Sequence, residues 1–129
     1  MKYFLLLIMF LFFTTCNNSN NKISKEKIET SISAKELKSK IDLNEKIKII
    51  DVRSEGEYYG KVGHINGSIV IPLNTISTSI KEIREFKEDI FVICLSGKRS
   101  SRAVVILREN EISARNVEGG ILAWNKLNK

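Results

Sequence analysis

The stretch Ile90-Phe91-Val92-Ile93-Cys94-Leu95-Ser96-Gly97-Lys98-Arg99-Ser100-Ser101 joins an apolar, β-branched run to a short basic loop and then to a helical pattern. The run Ile90 to Cys94 is too short for a helix and carries no polar alternation, so it reads as a strand buried on both faces. Ser100 to Asn110 reads as the following helix. Ala103, Val104, Ile106 and Leu107 make it apolar nearly all round, which predicts deep burial, and Asn110 is expected to end it in a left-handed conformation. A doubly buried strand feeding a helix is the building unit of a parallel sheet.

The flanking sequence repeats that unit. Ser33-Ala34-Lys35-Glu36 is a capping box that opens a helix with Leu37 and Ile41 on one face. Ile47 to Val52 is a second buried strand. Ser54-Glu55-Gly56-Glu57 is another capping box, ahead of Tyr58 and Tyr59. Gly60, Gly63, Asn66 and Gly67 mark a passage rich in turns. Ile69-Val70-Ile71 forms a strand stopped by Pro72, and Asn74 or Thr75 caps a helix bearing Ile76, Ile80 and Ile83. Beyond the Cys94 segment, Arg115-Asn116-Val117 is a short strand, and Gly119-Gly120 leads into a helix with Ile121, Leu122, Trp124 and Leu127. Alternating helices and strands predict an α/β fold: a small, mainly parallel sheet flanked by helices on both faces.

In such sheets, sites lie at the carboxyl ends of strands, where Cys94 stands. The first N–H groups of the next helix have no internal partners, and the helix dipole is positive there. Gly97 allows a tight turn, and Lys98, Arg99 and Arg102 add positive charge. Together they favour a thiolate at Cys94, the nucleophilic form. The plainer reading, a buried cysteine at a strand end, does not account for the glycine and cations placed directly after it.

Composition narrows the partners. The chain has 129 residues, a net charge of +6, two cysteines and one histidine. One domain fits this length. Mild positive charge suits a small anion, an acidic protein or a lipid headgroup. No arginine-rich arm or zinc-finger spacing points to nucleic acid. Cys16 and Cys94 make no disulfide framework, and His64 alone cannot build an ordinary zinc site, so neither metal nor cofactor is expected. A nucleotide P-loop is excluded because Arg99, not Ser or Thr, follows Gly97-Lys98, and Val92 stands where that motif needs glycine.

Residues 1–15 read as a signal segment: Lys2, then an apolar run from Tyr3 to Phe13 that falls short of the ~20 residues needed to span a bilayer as a helix. Phe13-Thr14-Thr15-Cys16 resembles a bacterial lipobox, with Thr15 in place of a smaller residue and Phe13 in place of the common Leu. The resemblance implies lipidation of Cys16 and an exported, membrane-anchored lipoprotein facing the periplasm or cell exterior. A simple cleaved signal or a retained anchor are the alternatives. Residues 16–32, rich in Asn, Ser, Lys and Glu, read as a flexible tether, and residues 33–129 as the folded domain.

Three motifs in the domain resemble those of the rhodanese family of sulfurtransferases. The first is Ile50-Asp51-Val52-Arg53 with Glu57-Tyr58, Gly63-His64-Ile65-Asn66-Gly67-Ser68 and Ile71-Pro72-Leu73. The second is the loop Cys94 to Ser100, and the third is Gly119-Gly120-Ile121-Leu122-Ala123-Trp124. They span essentially the whole domain, with Asn66 where the family usually has Pro and Ser68 where it has Ala. The resemblance implies a rhodanese-like fold and a double displacement through a Cys94 persulfide. The sulfur would pass from thiosulfate or a similar donor anion to cyanide, a thiol or an acceptor protein. It implies that Leu95, Ser96, Gly97, Lys98 and Arg99 cradle the donor, with Lys98 and Arg99 attracting it. Asp51, Arg53 and Ser100 are then supporting residues that brace the loop. His64 and Trp124 are expected to be structural.

Three other functions compete. Rhodanese-like domains also serve as non-catalytic binding modules, or as persulfide carriers for other proteins. Some cysteine phosphatases and arsenate reductases share the fold, but their loop holds one residue more between Cys and Arg. Here Ser100 occupies the position where they need a guanidinium.

Overall fold

The computed structural model describes residues 29–129. The signal segment, Cys16 and most of the tether lie outside them.

The elements run β1 (Ser31–Ser33), α1 (Ala34–Asp42), β2 (Ile47–Asp51), α2 (Glu55–Tyr58), β3 (Ile69–Val70), α3 (Ile80–Ile83), β4 (Asp89–Ile93), α4 (Lys98–Glu109), β5 (Ala114–Glu118) and α5 (Gly120–Lys126). The five strands form one parallel sheet in the order β1-β5-β4-β2-β3. The central strand β4 explains why. Its side chains alternate between two dry faces. Ile90, Val92 and Cys94 join Ile50, Val52, Ala103, Val104 and Leu107 on the side of α3 and α4. Phe91 and Ile93 join Ile49, Leu37, Val117 and Ile121 on the side of α1 and α5. The expected α/β sandwich therefore holds, and Cys94 is directed toward α4.

Both capping boxes form. Ser33 Oγ accepts the Glu36 N–H and Glu36 accepts the Ser33 N–H; Ser54 and Glu57 repeat the exchange at α2.

Five local expectations are corrected. Ser31 and Ile32, assigned by composition to the tether, form β1, which pairs with β5 and buries Ile32. Residues 73–83 are two 3-10 turns and a short α3 rather than one helix, yet Ile76 and Ile83 still face the core. Helix α4 starts at Lys98, two residues earlier than predicted, because the left-handed turn at Gly97 leads straight into it. It is buried on one face only, with Val105 exposed. Its end also differs: Asn110 keeps φ at −98° and Glu111 takes the left-handed conformation, at φ 60°. The Glu111 and Ile112 N–H groups then return to Arg108 O and Leu107 O, which satisfies the last carbonyls of the helix.

Candidate active site

Cys94 follows directly on β4, and Gly97, at φ 95°, turns the chain into α4. Only this left-handed turn brings the start of α4 back over the sulfur, and a Cβ at Gly97 would press on Gly119 N at 3.2 Å. The result is a cysteine at 1% exposure whose sulfur accepts the Gly97 N–H at 3.1 Å and the Ser100 hydroxyl at 3.3 Å. The amides of Ser96 and Ser100 also favour its charged form.

Burial alone is the largest single influence on this thiol and would raise its pKa. The Ser100 hydroxyl and the Ser100, Gly97 and Ser96 amides together outweigh it, so the thiol is held below its ordinary value. The thiolate is favoured by hydrogen bonds rather than by a touching cation.

The fold therefore gains stability above the thiol's unfolded pKa and loses that gain as pH falls through the lower folded value. Replacing Ser100 with Ala removes the fully buried hydroxyl. The thiolate titration, followed by its ultraviolet absorbance, is expected to move to higher pH. An unchanged midpoint would show that the amides act alone.

The residues expected to cradle the donor separate into different roles. Ser96 and Gly97 bear on the sulfur. Leu95 instead offers its carbonyl to the Leu122 N–H at 3.1 Å, while Ile121 N–H reaches Cys94 O at 2.9 Å. Lys98 is exposed and, among the described residues, forms no ion pair. The Arg99 guanidinium is engaged by Glu57 in a two-pronged pair at 2.7 and 2.8 Å. That pairing, chiefly, pulls the Glu57 carboxyl down to about 2. Glu57 is thus both a helix cap and the brace of Arg99. The sequence shows only the first role, because the partner lies far along the chain.

Asp51 and Arg53 form a sealed ion pair at the carboxyl end of β2. Asp51 Oδ1 accepts Arg53 Nε at 3.0 Å, and Oδ2 accepts Nη2 at 2.8 Å. Nη2 also donates to Gly63 O at 2.7 Å. The pair fastens the turn-rich passage before β3, rather than bonding to the loop after Cys94 as the resemblance implied. The His64 ring stacks on Tyr58 at 3.8 Å, and its Nδ1 lies 2.9 Å from Tyr58 O, a structural arrangement. Trp124 packs partly buried against the Leu37 cluster.

The Gly119-Gly120 doublet is the second support of the loop. Gly120 has φ 58°, and a Cβ there would overlap Cys94 O and lie 2.5 Å from Leu95 O. Gly120→Ala is expected to cost about 2–4 kcal/mol through left-handed strain and overpacking. A urea midpoint lowered accordingly, with loss of reactivity at Cys94, would bear this out. Wild-type stability in the variant would mean the loop tolerates displacement.

An α/β sheet with a buried, hydrogen-bonded cysteine at the end of its central strand defines the class of fold with a cysteine-centred site. The Rhodanese-like domain model matches residues 33–127, and the chain belongs to that family. It is 37% identical over 93 residues to YtwF of Bacillus subtilis, named as a candidate sulfurtransferase; the match covers 72% of this chain and 87% of YtwF. It is 34% identical over 94 residues to YrkF of the same organism, named as a candidate sulfur carrier protein, but spans only 49% of that protein's length. The crystal structure of a rhodanese-like domain protein from Staphylococcus aureus superposes with a TM-score of 0.67 at 36% identity, covering 74% of this chain and 90% of that one.

Proposed function

We propose that this protein is a sulfurtransferase that moves a sulfane sulfur from thiosulfate, or a similar small anion, through a persulfide on Cys94 to cyanide or a thiol. The observation that carries the reading is the buried Cys94 thiol, held below its ordinary pKa by hydrogen bonds from Ser100, Gly97 and Ser96. In the first step the Cys94 thiolate attacks the outer sulfur of thiosulfate. The donor's S–S bond breaks and sulfite leaves with the electron pair. The amides then hold the new persulfide. In the second step the acceptor attacks the outer sulfur, and the pair returns to Cys94 as thiolate. Lys98, exposed and unpaired among the described residues, supplies long-range attraction for the donor.

Arg99 argues against phosphoryl transfer. Its guanidinium is occupied by Glu57 and is not available to fork a phosphate. A carrier role, delivering the same persulfide to a protein thiol, is the second reading, favoured by the name of YrkF. The test is to incubate the full chain with thiosulfate, weigh it intact, add cyanide and assay thiocyanate. Gain of one sulfur followed by thiocyanate supports the reading. No gain by folded, reduced protein overturns thiosulfate as donor.

We further propose that Cys16 is lipidated and that the domain is displayed outside the cytoplasm on a membrane. The support is the leader sequence alone. Labelled palmitate is expected to enter the wild type and not Cys16→Ala; equal labelling, or none in either, would sink the lipoprotein reading.

A further inference from the structure

A cleft of about 510 Å³ lies beside the Cys94 loop, lined by Val52, Ser54, Pro72, Leu73, Asn74, Ser77, Arg99, Arg102 and Ile106. Arg99, Arg102 and Ile106 fall three and four residues apart, so one stripe of α4 forms a wall. That wall runs for about 10 Å away from the loop. The facing wall is the end of β2 and the turns after Pro72. Val52 shares its apolar cluster with Cys94, and Leu73 and Ile106 pack against that cluster, so the cleft opens on the face toward which the sulfur is directed.

Its chemistry is mixed. Apolar groups from Val52, Pro72, Leu73 and Ile106 alternate with the polar groups of Ser54, Asn74 and Ser77. Two guanidinium groups and no carboxylate belong to the lining. Arg99 is neutralised by Glu57. The Arg102 side chain is exposed and, among the described residues, makes neither ion pair nor hydrogen bond. The cleft therefore presents one uncompensated positive charge against an apolar wall. Thiosulfate has no apolar body to use that wall, whereas an organic thiol does.

We infer that the cleft binds the acceptor, and that the acceptor is an organic thiol bearing a carboxylate, with Arg102 as its specificity-determining residue. The inference rests on the sulfurtransferase reading and narrows its second step. The carboxylate pairs with Arg102, the apolar body lies toward the loop along Val52 and Leu73, and the sulfur reaches the loop beyond Arg99. The acceptor thiolate attacks the outer sulfur of the Cys94 persulfide. The bond between the two persulfide sulfurs breaks, its electron pair returns to Cys94, and the organic persulfide departs.

The test uses the full chain charged with one sulfur, then discharged by two arylthiols of one shape and opposite charge, para-mercaptophenylacetate and para-(aminomethyl)benzenethiol. Rates are compared per unit of thiolate, below saturation. The carboxylate thiol is expected to react about fivefold faster, and Arg102→Met, which keeps the apolar stem, is expected to lower that ratio about threefold, leaving only the long-range pull of Lys98. A ratio that persists in Arg102→Met overturns the inference. Thiol-free phenylacetate, titrated into the uncharged chain, reads the cleft independently of sulfur chemistry. Shifts of the Asn74, Ser77 and Arg102 amides, weakened in Arg102→Met, support the site even in a protein that never charges. Absence of those shifts refutes it even in one that does.

Discussion

Cys94→Ser is expected to gain no sulfur from thiosulfate and to release no thiocyanate, while remaining folded. The loss should be complete, because no neighbouring group can replace the nucleophile. Cys94 is the one cysteine of the described residues, and the nearest hydroxyl, Ser100, is an un-ionised donor to the sulfur. A serine at position 94 keeps the shape of the site and can accept the Gly97 N–H, but it neither ionises near neutral pH nor forms a persulfide. The site is 1% exposed and lies in an apolar cluster, so the exchange should cost stability only modestly, about 1 kcal/mol. Intact mass after thiosulfate, with a parallel urea melt, separates the two effects. A folded Cys94→Ser that still gains sulfur would place the carrier elsewhere in the chain and remove the basis of the proposed cycle.

What could be read from the sequence was local or periodic. The boxes at Ser33/Glu36 and Ser54/Glu57 close within one helical turn, so spacing alone locates them. The unbroken apolar run of β4 is visible because both of its faces are dry, and it places Cys94 at a strand end. The misses share a different cause. Strand β1 carries one buried apolar residue, Ile32, amid polar neighbours, and its partner β5 enters the chain more than eighty positions later. Nothing near Ile32 announces the pairing. The same holds for Glu57 with Arg99, 42 residues apart, and for Gly120 beneath Cys94. Each residue carried a motif label, but which of them touch is decided by sheet order. Arg99 was accordingly read as a donor-attracting charge, when its first partner is a carboxylate of the protein itself.

Asp51→Ala is expected to destabilise the domain by about 3–5 kcal/mol, a large part of the ~5–15 kcal/mol typical of such folds. The reason is what it leaves behind. Asp51 and Arg53 are 0% and 1% exposed, and the carboxylate receives Arg53 N, Nε and Nη2. Without it, a guanidinium remains sealed in the protein with Gly63 O as its one other acceptor among the described residues. The charge must then stay desolvated or pull free, and pulling free releases the passage that carries Ile65 into the core beneath β4. Removing both charges should cost far less than removing one. Asp51→Ala combined with Arg53→Met leaves an apolar pocket with no orphaned ion, and the double variant is expected to unfold at a higher urea concentration than Asp51→Ala alone. The loop beside the pair should follow the same order, since Val52 N–H bonds to Ile93 O immediately before Cys94. Sulfur loading would fall in the single variant and recover partly in the double. If the two substitutions simply add, the pair contributes as two separate residues and the brace assigned to it is wrong.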